Sequence, residues 1–187
     1  MSDESSEPPA ADPAELDEAV ALAREAGELT IGWFRSERLV IDQKGDGSPV
    51  TQADRAAERL IRQHLGEHHP DDGIHGEEEG EHTGPSGRQW IVDPIDGTKA
   101  FSHGVPTYCN LLALEDEHGI AIGVINLPAL GETVYAGRGL GCWSLDHAGG
   151  PTLPASVSTR DQLSGAYLST CGFDYWPDAW MAGVRCV

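Results

Sequence analysis

Trp90-Ile91-Val92-Asp93-Pro94-Ile95-Asp96-Gly97-Thr98-Lys99 decides how this 187-residue chain is read. Three apolar residues run into two acids separated by a proline and an isoleucine, and Gly-Thr follows. The pattern predicts a buried strand ending at Asp93 and a rigid turn that delivers Asp96 to the same spot. Pro94 stiffens that turn, because its ring holds φ at about −65° and it has no N–H. Gly97 and Thr98 then offer backbone amides. Acids at a strand end beside free amides suit a divalent cation on one side and a phosphate on the other. Taken alone, the same residues read equally well as an ordinary Asp-Gly turn, so the rest of the chain has to decide.

Composition narrows the field. At this length, with 39% hydrophobic residues and 23 glycines, one or two soluble domains of α/β or α+β type are expected. Acids outnumber bases 31 to 12, a net charge of −19, which argues against nucleic acid as a partner. An anionic substrate meets an opposing field, so a bound metal has to supply the local positive charge. No apolar run approaches the ~18 residues a membrane span needs. Residues 1–18 carry seven acids and no base, the opposite of a signal or transit peptide, so a cytoplasmic location is expected. Cys109, Cys142, Cys171 and Cys186 are widely spread without a C-x-x-C pair, and are expected to be free thiols.

Along the chain, residues 1–11 are acidic and rich in Pro, Ala and Ser, and are expected to be disordered. Asp12-Pro13-Ala14-Glu15 opens a helix with an N-cap and a proline at its first position. Its apolar stripe (Leu16, Val20, Ala23, Gly27, Ile31, Phe34) carries the helix to about Arg35. A short strand over residues 39–43 and a Gly-rich turn over 45–49 follow. Thr51 starts a second helix, with Asp54 as its capping-box partner, Ala53, Ala57, Leu60, Ile61 and Leu65 inward, and Arg55, Glu58, Arg59 and Arg62 on the wet face. Asp54 is fully explained by capping alone. Gly73-Ile74-His75-Gly76 reads as a strand running into Glu77-Glu78-Glu79, which by itself is a solvated loop. A helical turn is expected over 99–104. From Tyr108 the pattern becomes antiparallel, with strands over 110–115, 119–126, 132–137 and 141–145. Gly137-x-Gly139-x-Gly141 is a hairpin feature, because no helix pattern follows it. Residues 155–162 read as a linker and 166–170 as a short strand. The predicted organisation is an acidic tail over 1–11, a metal- and phosphate-binding α+β domain over 12–154, and the start of a second α/β domain over 155–187.

Asp54, Glu77 and the Asp93/Asp96 pair thus stand near strand or helix ends. Hard oxygen ligands of this kind suit Mg²⁺ with substrate phosphate completing the shell. Two such ions about 3.5–4 Å apart can activate a water and neutralise a leaving oxygen. Thr98 beside Asp54 makes a plausible water-positioning pair. Other chemistries fit less well. There is no G-x-S-x-G, and Cys171 lacks the arginine a cysteine phosphatase needs. An aspartyl-phosphate route is disfavoured because the acids are three apart with proline between them. His64 and His68 share a helix face, but no fitting third ligand is visible in the sequence, so zinc is disfavoured.

Gly76-Glu77-Glu78, the stretch from Trp90 to Thr98, Gly123-Val124-Ile125 and Ala136-Gly137-Arg138-Gly139-Leu140-Gly141-Cys142 together resemble the inositol monophosphatase superfamily. Ser48-Pro49-Val50-Thr51-x-x-Asp54 fits as well, and the resemblance covers about residues 14–172. It implies a layered α/β sandwich of the sugar-phosphatase type whose N-terminal half has a largely antiparallel sheet. It also implies Glu77, Asp93, Asp96 and the Ile95 carbonyl as ligands for two or three Mg²⁺ ions. Asp54 and Thr98, with Glu77, would serve catalysis, and the Gly97 and Thr98 amides would bind phosphate. The implied reaction is hydrolysis of a small phosphate monoester, by a protein that could form a homodimer. Thr98-Lys99, Gly104-Val105-Pro106 and Asn126-Leu127-Pro128-Ala129-Leu130-Gly131 look most like the histidinol-phosphate phosphatase branch, although Ala100 stands where both branches usually have asparagine. An inositol-1-monophosphatase-type activity is the alternative. Family members continue into a second α/β half that supplies a further aspartate, and residues 176–187 do not match it. The resemblance therefore implies a C-terminally truncated product, with an inactive fragment as a further alternative and Asp178 read as coincidence.

Overall fold

The computed structural model describes residues 7–45 and 47–167. The chain divides into two units, Met1–Ser156 and Val157–Val187. The first begins earlier than its composition predicts. Ala11 donates its N–H to the Arg138 carbonyl at 2.8 Å, and the Arg138 guanidinium returns a bond to the Pro9 carbonyl at 2.9 Å. Residues 9–11 of the expected disordered tail are thus tied down, and residues 1–6 lie outside the described residues.

Helix α1 (Pro13–Ile31) is capped by Asp12, whose carboxylate accepts the Ala14 N–H at 2.8 Å. It stops at Ile31, short of the expected Arg35, because Gly32 follows and Arg35 takes a left-handed φ of 59°. Its buried face is Leu16, Ala19, Leu22, Ala23, Ala26, Gly27 and Thr30. That face is rotated from the predicted stripe, leaving Val20 half-buried and Ile31 exposed. Strands β1 (Ile41–Gln43) and β2 (Pro49–Thr51) form a small antiparallel ribbon. Helix α2 (Gln52–His68) starts at Thr51 with the full capping box that Asp54 predicts.

The main sheet has eight strands: β3 (Gly73–Gly76), β4 (Gly80–His82), β5 (Gln89–Asp96), β6 (Cys109–Asp116), β7 (Gly119–Leu127), β8 (Glu132–Gly137), β9 (Gly141–Asp146) and β10 (Leu153–Pro154). Their order is β10-β9-β8-β7-β6-β5-β3-β4, antiparallel throughout except for the parallel β3–β5 pair. The architecture is α+β, as expected. Trp90 and Val92 of β5 stand opposite Leu114 and Leu112 of β6, which in turn face Ile122 and Val124 of β7. These six side chains form the floor on which α1 and α2 lie, with Ile61 and Leu65 of α2 filling the gap. Burying each such aliphatic or aromatic group contributes about 1.5–3 kcal/mol. A second, smaller core of Ala53, Ile95, Phe101 and Tyr108 lies under the acidic turn.

Two features of β5 depart from expectation. The strand does not end at Asp93 but continues to Asp96, with its register against β6 shifting between those two residues. Pro94 is tolerated there because the irregularity needs no ladder bond from it. After Gly97, at φ 86°, the short helix α3 (Thr98–Ser102) begins. In the second unit, residues 157–167 contain a turn in which Ala166 donates to the Leu163 carbonyl at 2.9 Å. Ala166 and Tyr167 are not in a strand, and the remainder of the strand expected over 166–170 lies outside the described residues. So do Cys171, Asp178 and Cys186.

Candidate active site

The acids are brought together by the parallel pairing of β3 with β5. Gly76 stands opposite Val92, so the next residue of each strand, Glu77 and Asp93, emerges at the same sheet end. The Glu77 N–H donates to the Val92 carbonyl at 3.2 Å, extending the ladder by one residue. The Glu77 carboxyl lies beside that of Asp93, and the charge of Asp96 adds to the field. Asp93 is pushed up to about 8, first by burial, then by Glu77 and Asp96, against the help of the Ile95 N–H. One of its oxygens, Oδ1, is buried without any hydrogen-bond partner. A buried carboxylate oxygen with nothing to accept is costly unless a cation belongs there. Asp96 is exposed and accepts a weak bond from the Cys109 thiol at 3.5 Å. That thiol is raised to about 12 by burial and the nearby Asp96 and Asp93 charges, which makes it unreactive.

Asp54 does more than cap its helix. Its Oδ2 accepts the Thr51 N–H at 2.9 Å and the Thr51 hydroxyl, while Oδ1 accepts the Thr98 hydroxyl at 3.1 Å. The Thr98 hydroxyl also lies 3.1 Å from the Ile95 carbonyl. It has one proton to share between them, so its lone pairs remain for another donor. Burial raises Asp54 above the ordinary carboxylate range, with the Thr51 and Thr98 bonds opposing it. Gly97 caps α3 in the left-handed region, a conformation that a residue with Cβ adopts only with strain.

Several residues that shape the site carry no motif. Lys44, just after β1, places its ammonium 2.6 Å from Glu77 Oε1 and 2.8 Å from Glu78 Oε1. Burial works against its charge, but the two carboxylates win and raise its affinity for the proton. Of the two acids, Glu78 is the buried one (side chain 4% exposed, against 42% for Glu77), so the acidic run is not the solvated loop its composition implies. Burial raises Glu78, with the charges of Asp54 and Glu77 adding to the effect and Lys44 opposing.

Glu58, expected on the wet face of α2, is fully buried. Its carboxylate accepts the Glu78 and Glu79 N–H groups at 2.7 and 2.9 Å and the Arg62 guanidinium at 2.8 Å. It therefore pins the turn that carries Glu77. A Cβ on Gly76 would stand 2.0 Å from Glu58 Oε1, which explains the glycine in Gly-Glu-Glu. Behind β5, Asn110 donates to the Pro94 carbonyl at 2.6 Å and accepts from Asn126 at 2.9 Å. Asn126 is bound in turn by the Thr133 hydroxyl at 2.9 Å. This buried ladder holds the irregular segment between Asp93 and Asp96. Only the polarity of Asn110 and Asn126 inside apolar strands could have flagged it. A surface hollow of about 520 Å³ between the helices, around Leu60 and His64, lies away from the acids, and the acidic centre rests on charge and hydrogen bonding instead.

Residues 12–177 match the model of the Inositol monophosphatase family. A protein named histidinol-phosphatase from Chlorobaculum parvum is 51% identical over 129 residues, 69% of this chain and 50% of that one. Another of that name from Mycobacterium tuberculosis is 47% identical over 159 residues, 84% of this chain and 60% of that one. The chain thus spans about half to three fifths of the length of these curated relatives. The crystal structure of extragenic suppressor protein suhB from Bartonella henselae superposes with a TM-score of 0.72 at 35% identity, over 80% of this chain and 57% of that one. With a fold that superposes on a solved structure at 35% identity and a family model that matches residues 12–177, the chain belongs to the inositol monophosphatase family.

Proposed function

We propose that this chain carries the acidic centre of a Mg²⁺-dependent phosphate monoester hydrolase, with histidinol phosphate as the favoured substrate. The observation that supports it most directly is the meeting of the Glu77 and Asp93 carboxyls beside Asp96, with Asp93 Oδ1 buried and unpartnered. The fit to hard cations is good, since every donor is an oxygen and the Lys44 ammonium already occupies the space between Glu77 and Glu78 as a stand-in positive charge. Glu77, Asp93, Asp96 and the Ile95 carbonyl are the proposed ligands. Two or three bound cations would supply the charge that lowers the pKa of water and neutralises the departing oxygen.

The chain's own residues do the rest. Asp54 is anchored by Thr51 and fixes the Thr98 hydroxyl, leaving that oxygen to accept a hydrogen bond from the attacking water and hold it in line. The amides of Gly97 and Thr98 lie at the start of α3 and are assigned to the phosphate oxygens. The choice of histidinol phosphate follows the names of the two curated relatives and the Thr98-Lys99 and Gly104-Val105-Pro106 sequences. Phosphate release from histidinol phosphate and from inositol 1-phosphate, with and without Mg²⁺, tests both statements for the chain and for Asp93→Asn. Mg²⁺-dependent release that Asp93→Asn abolishes is expected, faster with histidinol phosphate. Equal rates for the two proteins end the proposal. Mg²⁺ stabilisation without turnover would keep the metal centre and remove the hydrolytic assignment.

A further inference from the structure

At the other end of α2, about 15 Å from Asp54 along the helix, a different set of donors converges. His64 Nε2 lies 2.7 Å from Glu18 Oε1, and His68 Nδ1 lies 3.9 Å from the same oxygen. The three ligand atoms fall within 4.8 Å of one another. We propose that Glu18, His64 and His68 form a second metal centre, for a zinc-class divalent cation, that staples α1 to α2.

The sequence shows His64 and His68 four apart on one helical face but hides the third ligand, because Glu18 comes from α1. The expectation that the pair lacks a partner is therefore corrected. Tetrahedral zinc with bonds of about 2.0–2.2 Å holds its ligand atoms about 3.3–3.6 Å apart, and the separations of 2.7 and 3.9 Å straddle that range. Rotation of a side chain by a fraction of an ångström closes the difference. Imidazole nitrogens with one carboxylate suit Zn²⁺, Ni²⁺ or Cu²⁺ and not Mg²⁺, which demands oxygen.

A plain hydrogen-bonded cluster explains less of the geometry. One bond, His64 to Glu18, satisfies Oε1, yet the His68 ring is also turned toward that oxygen and crowds His64 edge-on, with centroids 4.2 Å apart. The other carboxylate oxygen, Oε2, is held by His69 Nε2 at 3.1 Å. His69 is fixed from behind, its Nδ1 3.9 Å from Asp72 Oδ2 and its ring against Trp90 with centroids 5.3 Å apart. Such an outer chain of Asp72, His69 and Glu18 orients the carboxylate and leaves Oε1 directed at the two imidazoles, which is how the outer shell of a metal site works. The His68 side chain is 47% exposed, so solvent can fill the fourth position.

The test is a calorimetric titration of Zn²⁺ into the chain with Mg²⁺ in large excess, so that the acidic centre is filled. It is paired with melting curves with and without zinc. The native chain is expected to bind one zinc and to melt higher with it. His64→Gln, His68→Gln and Glu18→Gln are each expected to weaken zinc at least tenfold, while the Mg²⁺-dependent rise in Tm stays as in the native chain. Co²⁺ bound in place of zinc should show the intense visible bands of a tetrahedral ion, lost in His64→Gln. Zinc binding of undiminished affinity in His64→Gln and His68→Gln, or none in the native chain, overturns the assignment. Should His64→Gln fail to fold, the exposed His68→Gln decides alone.

Discussion

Glu58 offers the sharpest test of how this fold supports its site, because no motif marks it. Its carboxylate is fully buried and takes three hydrogen bonds, two from the backbone of the Glu77-Glu78-Glu79 turn and one from Arg62. Glu58→Gln keeps the shape but removes the charge and places an NH₂ group against one of the N–H donors. Bonds to a charged group contribute about 1.5–3 kcal/mol each, and breaking a buried ion pair from one side costs about 3–5 kcal/mol. Arg62 keeps the Gly80 carbonyl as a partner, which places the expected loss near the lower end, about 3 kcal/mol. For a chain of this size that is a fall in Tm of roughly 6–12 °C. The turn that carries Glu77 loses its anchor, so the Mg²⁺ concentration that half-saturates the thermal shift should rise about 10–100-fold. Glu67→Gln, an exposed change on the same helix, is the control and should move neither quantity. A Glu58→Gln protein that melts with the native chain and binds Mg²⁺ with native affinity would refute the reasoning.

Further outcomes follow from the same contacts. Gly76→Ala drives a methyl group to 2.0 Å from Glu58 Oε1 and 2.6 Å from Arg62 Nη2, and denaturant unfolding should show a loss of about 1–3 kcal/mol or more. Thr51→Ala removes an N-cap and a bond to Asp54, costing about 1–2 kcal/mol, with Thr51→Ser restoring most of it in the same measurement. Lys44→Met takes the ammonium from between Glu77 and Glu78, so Tm without metal should fall while the rise on adding Mg²⁺ grows. The raised Asp93 also sets a pH dependence. With its folded value near 8 and the ordinary carboxylate near 4, the metal-free fold holds a proton that the unfolded chain releases. Stability without metal must therefore fall as pH rises through that window, and the Mg²⁺-dependent rise in Tm should be larger at about pH 8.5 than at about pH 5.5. A metal shift of constant size across that span would contradict it.

What the sequence made legible was whatever local chemistry determines. The Asp12 and Thr51 caps, the hairpins after Tyr108 and the turn at Gly97 are short-range patterns, and each stands where its residues place it. β5 runs past its expected end at Asp93 because the segment read as a rigid turn around Pro94 is instead a register shift within the strand. The buried face of α1 differs from the expected stripe because Ala19, Leu22 and Ala26 pack on the sheet while Ile31 turns outward, a rotation that spacing alone does not fix. Glu58 was placed in solvent for a related reason. Helical spacing pairs Glu58 with Arg62 one turn on, but only tertiary contact reveals that the backbone amides of Glu78 and Glu79 wait for the same carboxylate. Lys44 had one signal, its rarity among the chain's bases, and nothing local tied it to residues more than thirty positions away.

The two ends of α2 show how one helix can sort cations by the donors that meet it. At its N-terminus Asp54 joins a set made only of oxygen, with carboxylates crowded enough to hold Asp93 protonated to about 8 unless a positive charge arrives. That crowding is a cost to the metal-free fold, and the proposed small hard ion would remove it by replacing the proton. At its C-terminus a single carboxylate faces two imidazoles, and there is no comparable repulsion to relieve. Affinity at that end must come from the bonds to nitrogen themselves, which a borderline metal makes well and Mg²⁺ makes poorly. Added Mg²⁺ and added zinc should therefore stabilise the chain independently. The stabilisation by both together should equal the sum of the two alone, because the two ligand sets share no residue.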